Sequence, residues 1–138
     1  MIAMLHHLRA AYGFKSPEMA ACLLILKHIR KQKPANLRHL TFNALKEIGK
    51  VEEDLALMRV LAVLAGPSYS ILDQKFEFLD EEDDEYIDVD SDSVSIALNN
   101  GTFVHPTNGK PVHDFQSKIF SYYQLSESFP GSDQRTGE

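Results

Sequence analysis

The chain has a single cysteine, Cys22, in 138 residues. That excludes an intramolecular disulfide and any cysteine-based zinc cluster. Cys22 sits in an apolar stretch, so its thiol reads as a small hydrophobe and not as a nucleophile. Long apolar runs are also missing. The longest covers residues 19–26, well short of the ~20 residues that span a bilayer. It lies too far in, and too near Lys15 and Glu18, for a cleaved signal peptide. The expected location is cytoplasmic, away from membranes. There is no glycine-rich phosphate loop, no nucleophile elbow, no pair of carboxylates in an apolar setting and no internal repeat. The expectation is a non-enzymatic protein with no cofactor and no catalytic or metal residues.

What the chain does have is an ordinary globular composition, 43% hydrophobic and 25% charged, and enough length for one real core. Its net charge of −6 hides an asymmetry. Residues 1–50 carry nine Lys/Arg against two acids, and residues 51–138 carry five against eighteen. Such a split fits a basic binding face opposed by an acidic one. It fits equally well two halves that neutralise each other by packing.

The basic half reads as helical. Ile2, Leu5, Leu8 and Tyr12 recur near helical spacing and Gly13 follows them. Ser16, Pro17 and Glu18 make a strong helix start. Met19, Cys22, Leu23, Leu26 and Ile29 then give a core-facing stripe, and Pro34 closes the helix. A third helix is expected from an Asn36 cap, with Leu37, Leu40, Ala44, Leu45 and Ile48 inward and Gly49 at its end. Only a short glycine-containing turn separates it from a fourth, which starts at Glu52-Glu53-Asp54 and runs to Ala65. Apart from Arg59 that fourth helix is apolar from Leu55 on, so burial on most sides is expected. Gly66 and Pro67 stop it.

Strand periodicity follows. Residues 72–79 alternate with period two. Residues 80–85 read as a solvated hairpin loop and residues 86–90 as the return strand, with Ile87 and Val89 inward. Ser91 and Asp92 are placed to cap a short helix over 94–98. A brief strand is expected at 102–105, a turn at 106–109 and a final aromatic strand over 115–125. Residues 126–138 read as a mobile tail. The fold class is therefore α+β: a helical N-terminal half with a helix-turn-helix-like core, an antiparallel β-hairpin, and a short helix-strand extension. Residues 1–125 read as one domain.

The order helix, helix, helix, hairpin over residues 16–90 resembles the winged helix-turn-helix superfamily. In its DNA-binding members the second helix of the motif enters the major groove with its first residues on base edges. Carried over here, those positions are Glu52, Glu53, Asp54, Leu55 and Ala56, and the wing tip is the acidic hairpin. Both would repel phosphates. The resemblance then implies an acidic accessory subunit, similar to those of SMC-type ATPase complexes and of bacterial ABC-ATPase defence systems. The expected function is a protein-interaction module or adaptor, with protein partners or a second copy of itself. The acidic hairpin, Asp80, Glu81, Glu82, Asp83, Asp84 and Glu85, would face a basic partner. The alternative is a DNA-binding transcriptional regulator, contacting nucleic acid away from the usual recognition helix.

Three further constellations have a functional and a plain reading. Lys27, Arg30, Lys31, Lys33, Arg38, Lys46 and Lys50 form either a phosphate- or acid-binding patch or a solvated face with cations at helix C-termini. Asp88, Asp90 and Asp92 alternate like the start of a calcium loop. However, Ser93 stands where that loop needs glycine and Asn99 where it needs glutamate. His105, His113 and Asp114 flank one turn and are a conceivable metal set, although loop histidines usually serve as hydrogen-bonders.

Overall fold

The strongest sequence signal forms as expected and becomes the centre of the helical part. In the computed structural model, which describes residues 2–127, helix α1 spans Ile2–Tyr12 and α2 spans Pro17–Lys31. Ser16 Oγ accepts a hydrogen bond from the Met19 N–H at 3.1 Å, capping α2. A 3-10 turn, Pro34–Leu37, and a two-residue strand β1, Leu40–Thr41, follow. Then come α3 (Phe42–Gly49), α4 (Asp54–Leu64), β2 (Leu72–Asp80), β3 (Glu85–Val89), α5 (Ser91–Asn100) and β4 (Ile119–Leu125). The described residues thus form an α+β fold with five α-helices and a four-stranded antiparallel sheet of order β1-β4-β2-β3.

Within the span read as one domain, two compact units are distinguished. The first comprises Met1–Asp73 with Tyr123–Glu138, and the second Gln74–Tyr122. The division follows the charge. The first unit carries eleven Lys/Arg against nine acids, whereas the second carries three lysines against eleven acids.

In the first unit α2 packs against α1, α3 and α4. Its core joins Met4 and Leu8 of α1 to Cys22, Ile25 and Ile29 of α2, Leu45 of α3, and Leu57, Val60, Leu61 and Leu64 of α4. Each such side chain contributes about 1.5–3 kcal/mol when fully buried. Ile25, not Leu23, belongs to the buried stripe; Leu23 is exposed. Burial of Cys22 raises its thiol pKa to about 11, so it stays an uncharged packing residue.

The third helix is shorter than its periodicity predicts. Thr41, not Asn36, caps it, its Oγ1 accepting from the Ala44 N–H at 3.1 Å. Leu37 and Leu40 are still buried, from the 3-10 turn and from β1. An apolar spacing of three thus marks buried residues without marking one continuous helix. Gly49 ends α3 as expected, and it has a packing role as well. A Cβ there would stand 3.2 Å from the Ala21 Cβ, so glycine permits the close approach of α3 to α2. The left-handed position falls on Lys50, at φ 50°. Its N–H donates to Glu47 O and the Val51 N–H to Lys46 O, closing a Schellman motif. Helix α4 begins at Asp54, two residues later than expected, and buries one side only. Ser126 is packed, 3% exposed, with its N–H donating to Ile71 O at 2.9 Å. The rest of the expected tail, residues 128–138, lies outside the described residues.

In the second unit β2 and β3 form the expected hairpin, with Phe78 opposite Ile87 and Leu79 opposite Tyr86. A separate core gathers Phe78, Ala97, Phe103 and Phe115, with Ile87, Val89, Val112 and Ile119 at its margin. Phe103 stacks on Phe115 at 5.7 Å between ring centroids. Helix α5 is longer than expected because Asp90 caps it, Oδ1 accepting from the Ser93 N–H at 2.7 Å. Gly101, at φ 75°, ends it. The strand at 102–105 reduces to a bridge between Val104 and Pro111. Residues 115–117 coil into a 3-10 turn before β4.

The contact at Gly49 is testable. Gly49→Leu overpacks it and should cost about 1–3 kcal/mol, read as a lower urea midpoint. Lys50→Gly relieves the left-handed strain and should raise stability by up to about 1 kcal/mol.

Candidate interaction surfaces

Helix α4 follows the short turn that ends α3. Its buried side supplies Ala56, Leu57, Val60, Leu61 and Leu64 to the core. Its solvent side presents Leu55 and Met58, each 55% exposed, behind exposed Glu52, Glu53 and Asp54. The charges on this helix are already engaged. Asp54 Oδ1 lies 2.7 Å from Lys46 Nζ. Arg59, the one basic residue of the helix, lies 3.1 Å from Glu18 Oε2. Glu18 is buried and needs that cation, since an unpaired buried carboxylate is costly. The helix therefore offers solvent an apolar stripe with an acidic head.

The basic residues separate into two groups. Lys27, Arg30, Lys31, Lys33, Arg38 and Lys50 are exposed, along the last turns of α2, the 3-10 turn and the end of α3. Lys46 is half-buried and committed to Asp54.

The acidic hairpin separates in the same way. Glu81, Glu82, Asp83, Asp84 and Glu85 are exposed, and Glu81 lies 3.8 Å from Lys118 Nζ. Asp80 is 3% exposed and ends β2, so it belongs to the packed structure and not to a solvated loop. Its Oδ1 accepts from the Glu82 N–H at 3.1 Å. Its Oδ2 lies 3.1 Å from His105 Nε2, close enough for an ion pair but too bent for an aligned hydrogen bond. Burial alone would raise the Asp80 carboxyl. The His105 ring and the Asp83 and Glu82 N–H groups outweigh it and hold the carboxyl below the usual carboxylate range.

His105 is a structural hydrogen-bonder. Its Nδ1 accepts the Thr107 and Asn108 N–H groups at 3.1 and 3.3 Å, so the ring proton belongs on Nε2, toward Asp80. A metal on Nε2 would require a proton on Nδ1, where two N–H groups already point. Asp114 Oδ2 accepts from Ser117 Oγ at 2.9 Å. His105 and His113 line one cavity of about 210 Å³ with Asp80, Lys110 and Lys118. They do not converge with Asp114 as a ligand set. Among the described residues the convergent group is Asp80, Asp83 and Glu85, with ligand atoms within 4.8 Å of one another. In the alternating acids, Asp90 is the α5 cap and Asp88 Oδ1 accepts the Tyr122 hydroxyl at 3.0 Å.

One surface was not legible as such in the sequence. The sheet face opposite Phe78 carries Leu79 on β2, Tyr86 and Asp88 on β3, and Phe120 and Tyr122 on β4. Tyr86 and Phe120 meet edge to face at 6.2 Å while remaining 58% and 44% exposed. Burial, the Asp88 hydrogen bond and the charges of Asp88 and Glu77 raise the Tyr122 hydroxyl pKa to about 12. Period two does place Tyr86 and Phe120 out of phase with the inward residues. That the two rings share one face depends on strand order.

No protein-family model matches the chain, and neither curated proteins nor solved structures give a match. No helix among the described residues is long and apolar enough to cross a membrane.

The Asp80 contacts give a pH signature. A carboxyl whose folded pKa lies below its unfolded value, about 4, adds stability above that value and loses it as pH falls through the folded pKa. Asp80→Asn should therefore lower the melting temperature at neutral pH. The gap to the native chain should narrow on acidification below pH about 4, as read by melts across a pH series.

Proposed function

We propose that the protein is a non-enzymatic interaction module, an adaptor or accessory subunit that binds protein partners. The observation that carries this reading is the solvent side of α4. Leu55 and Met58 stand exposed behind a head of three carboxylates, and Arg59 is tied to Glu18. That chemistry suits a protein surface, where exposed apolar side chains provide binding free energy. It does not suit a DNA groove, which requires Lys, Arg and amide side chains at that place. The order α2, α3, turn, α4, hairpin supports a winged-helix-like arrangement turned to this use. The strand β4, between β1 and the hairpin, is an addition to that plan. A cytoplasmic location is part of the same proposal.

The second reading, a DNA-binding regulator, draws support from Lys27, Arg30, Lys31, Lys33, Arg38 and Lys50, all exposed. It would bind duplex through phosphate contacts alone.

Two measurements separate them. Leu55→Asp with Met58→Asp changes exposed positions only, so the protein should fold with an unchanged melting temperature and lose its co-purifying partner. Duplex DNA should bind weakly even at low salt. Tight duplex binding that falls steeply with salt, and is abolished by Lys31→Glu with Arg38→Glu, would instead establish the regulator.

A further inference from the structure

We propose that the outer sheet face of the second unit is a docking site for an arginine- or lysine-rich peptide segment of a partner, seated over Tyr86 and Phe120. This deepens the interaction-module reading and rests on it. Two features of the face point to the same occupant.

The first is aromatic. Tyr86 and Phe120 are large rings on neighbouring positions of one face, in contact with each other and largely open to solvent. Half-buried Leu79, the cross-strand partner of Tyr86, supports them. Rings left open in this way lose nothing of their own packing when a ligand covers them. Their faces attract cations, worth about 0.5–1 kcal/mol at an exposed site and more when desolvated. Among the described residues no cation is seated on these two rings. Among the described residues the cation–π contact is Arg9 over Phe14, in the other unit.

The second is charge. Asp88 lies two residues along β3 from Tyr86 and is exposed, its orientation fixed by the Tyr122 hydroxyl. The hairpin turn beyond Tyr86 adds Glu81, Glu82, Asp83, Asp84 and Glu85, all exposed. Two lysines oppose these acids: Lys118 lies 3.8 Å from Glu81, and exposed Lys75 shares the outer face of β2 with Leu79. A nucleic acid could stack on the rings, but its phosphates would meet this field and be repelled. A basic peptide gains from both features: its charges are steered in by the acids and its guanidinium or ammonium groups settle on the rings.

The test is fluorescence anisotropy with the full chain and a labelled peptide of repeated Arg-Gly-Lys-Gly, beside a labelled single-stranded oligonucleotide of similar length. The native chain should bind the peptide and not the oligonucleotide. Tyr86→Ala with Phe120→Ala should weaken peptide binding about fivefold to tenfold, with circular dichroism and the melting temperature unchanged. Tyr86→Phe should bind as the native chain does. Glu81→Gln, Glu82→Gln, Asp83→Asn and Asp84→Asn together should slow association and flatten the salt dependence. If the aromatic variant binds normally and the charge variant does not, the peptide sits on the turn alone and the ring site is overturned, while the interaction-module reading stands. Absence of peptide binding by the native chain also overturns the site. If the oligonucleotide binds as tightly as the peptide, both the site and the module reading fall.

Discussion

Helix α2 must bury several of its sides at once, and the first unit is arranged to let it. Helices α1, α3 and α4 each pack against it, and α3 comes close where Gly49 meets Ala21. That one contact explains an otherwise odd feature of the following turn. Glycine is the usual residue for a left-handed helix end, yet here it is used one position early for want of space. Lys50 accepts the left-handed backbone instead. Interior packing has been given precedence over local backbone preference.

The second unit obeys a different constraint. Its core is small and aromatic, and its charge is strongly negative. Asp80 and His105 hold its edge together. The carboxylate faces the ring from one side, and the ring's other nitrogen organises the backbone of the Pro106–Asn108 turn. The buried acid is thereby separated in role from the five exposed acids that follow it. One continuous acidic run thus contains a structural member and a solvated group.

Two surfaces remain exposed and carry the proposed function. Where α4 could have carried cations it carries Leu55 and Met58, and its single arginine serves to neutralise Glu18. The aromatic face of the hairpin is open and acidic. Both surfaces combine exposed large apolar side chains with nearby carboxylates, and the proposed contacts with another chain rest on that.

Much of this could be read from residue order. The α2 stripe, its Ser16 cap, the α1 span and the hairpin alternation are local signals, because helix and strand periodicity is written into neighbouring residues. The acidic start of α4 was equally legible. Other features were decided only by three-dimensional packing. Leu37 and Leu40 obey helical spacing yet are buried from a 3-10 turn and a strand, since burial rewards position and not continuity. Asp80 looks identical to Glu81 in sequence. It is distinguished by burial at the end of β2 and by His105, twenty-five residues away, which the fold brings within 3.1 Å. Tyr86 and Phe120 become one surface because β2 lies between β3 and β4 in the sheet. Sequence determined the elements and the sign of their charge. Strand order and helix contact, which depend on residues far apart in the chain, decided which of those residues face water.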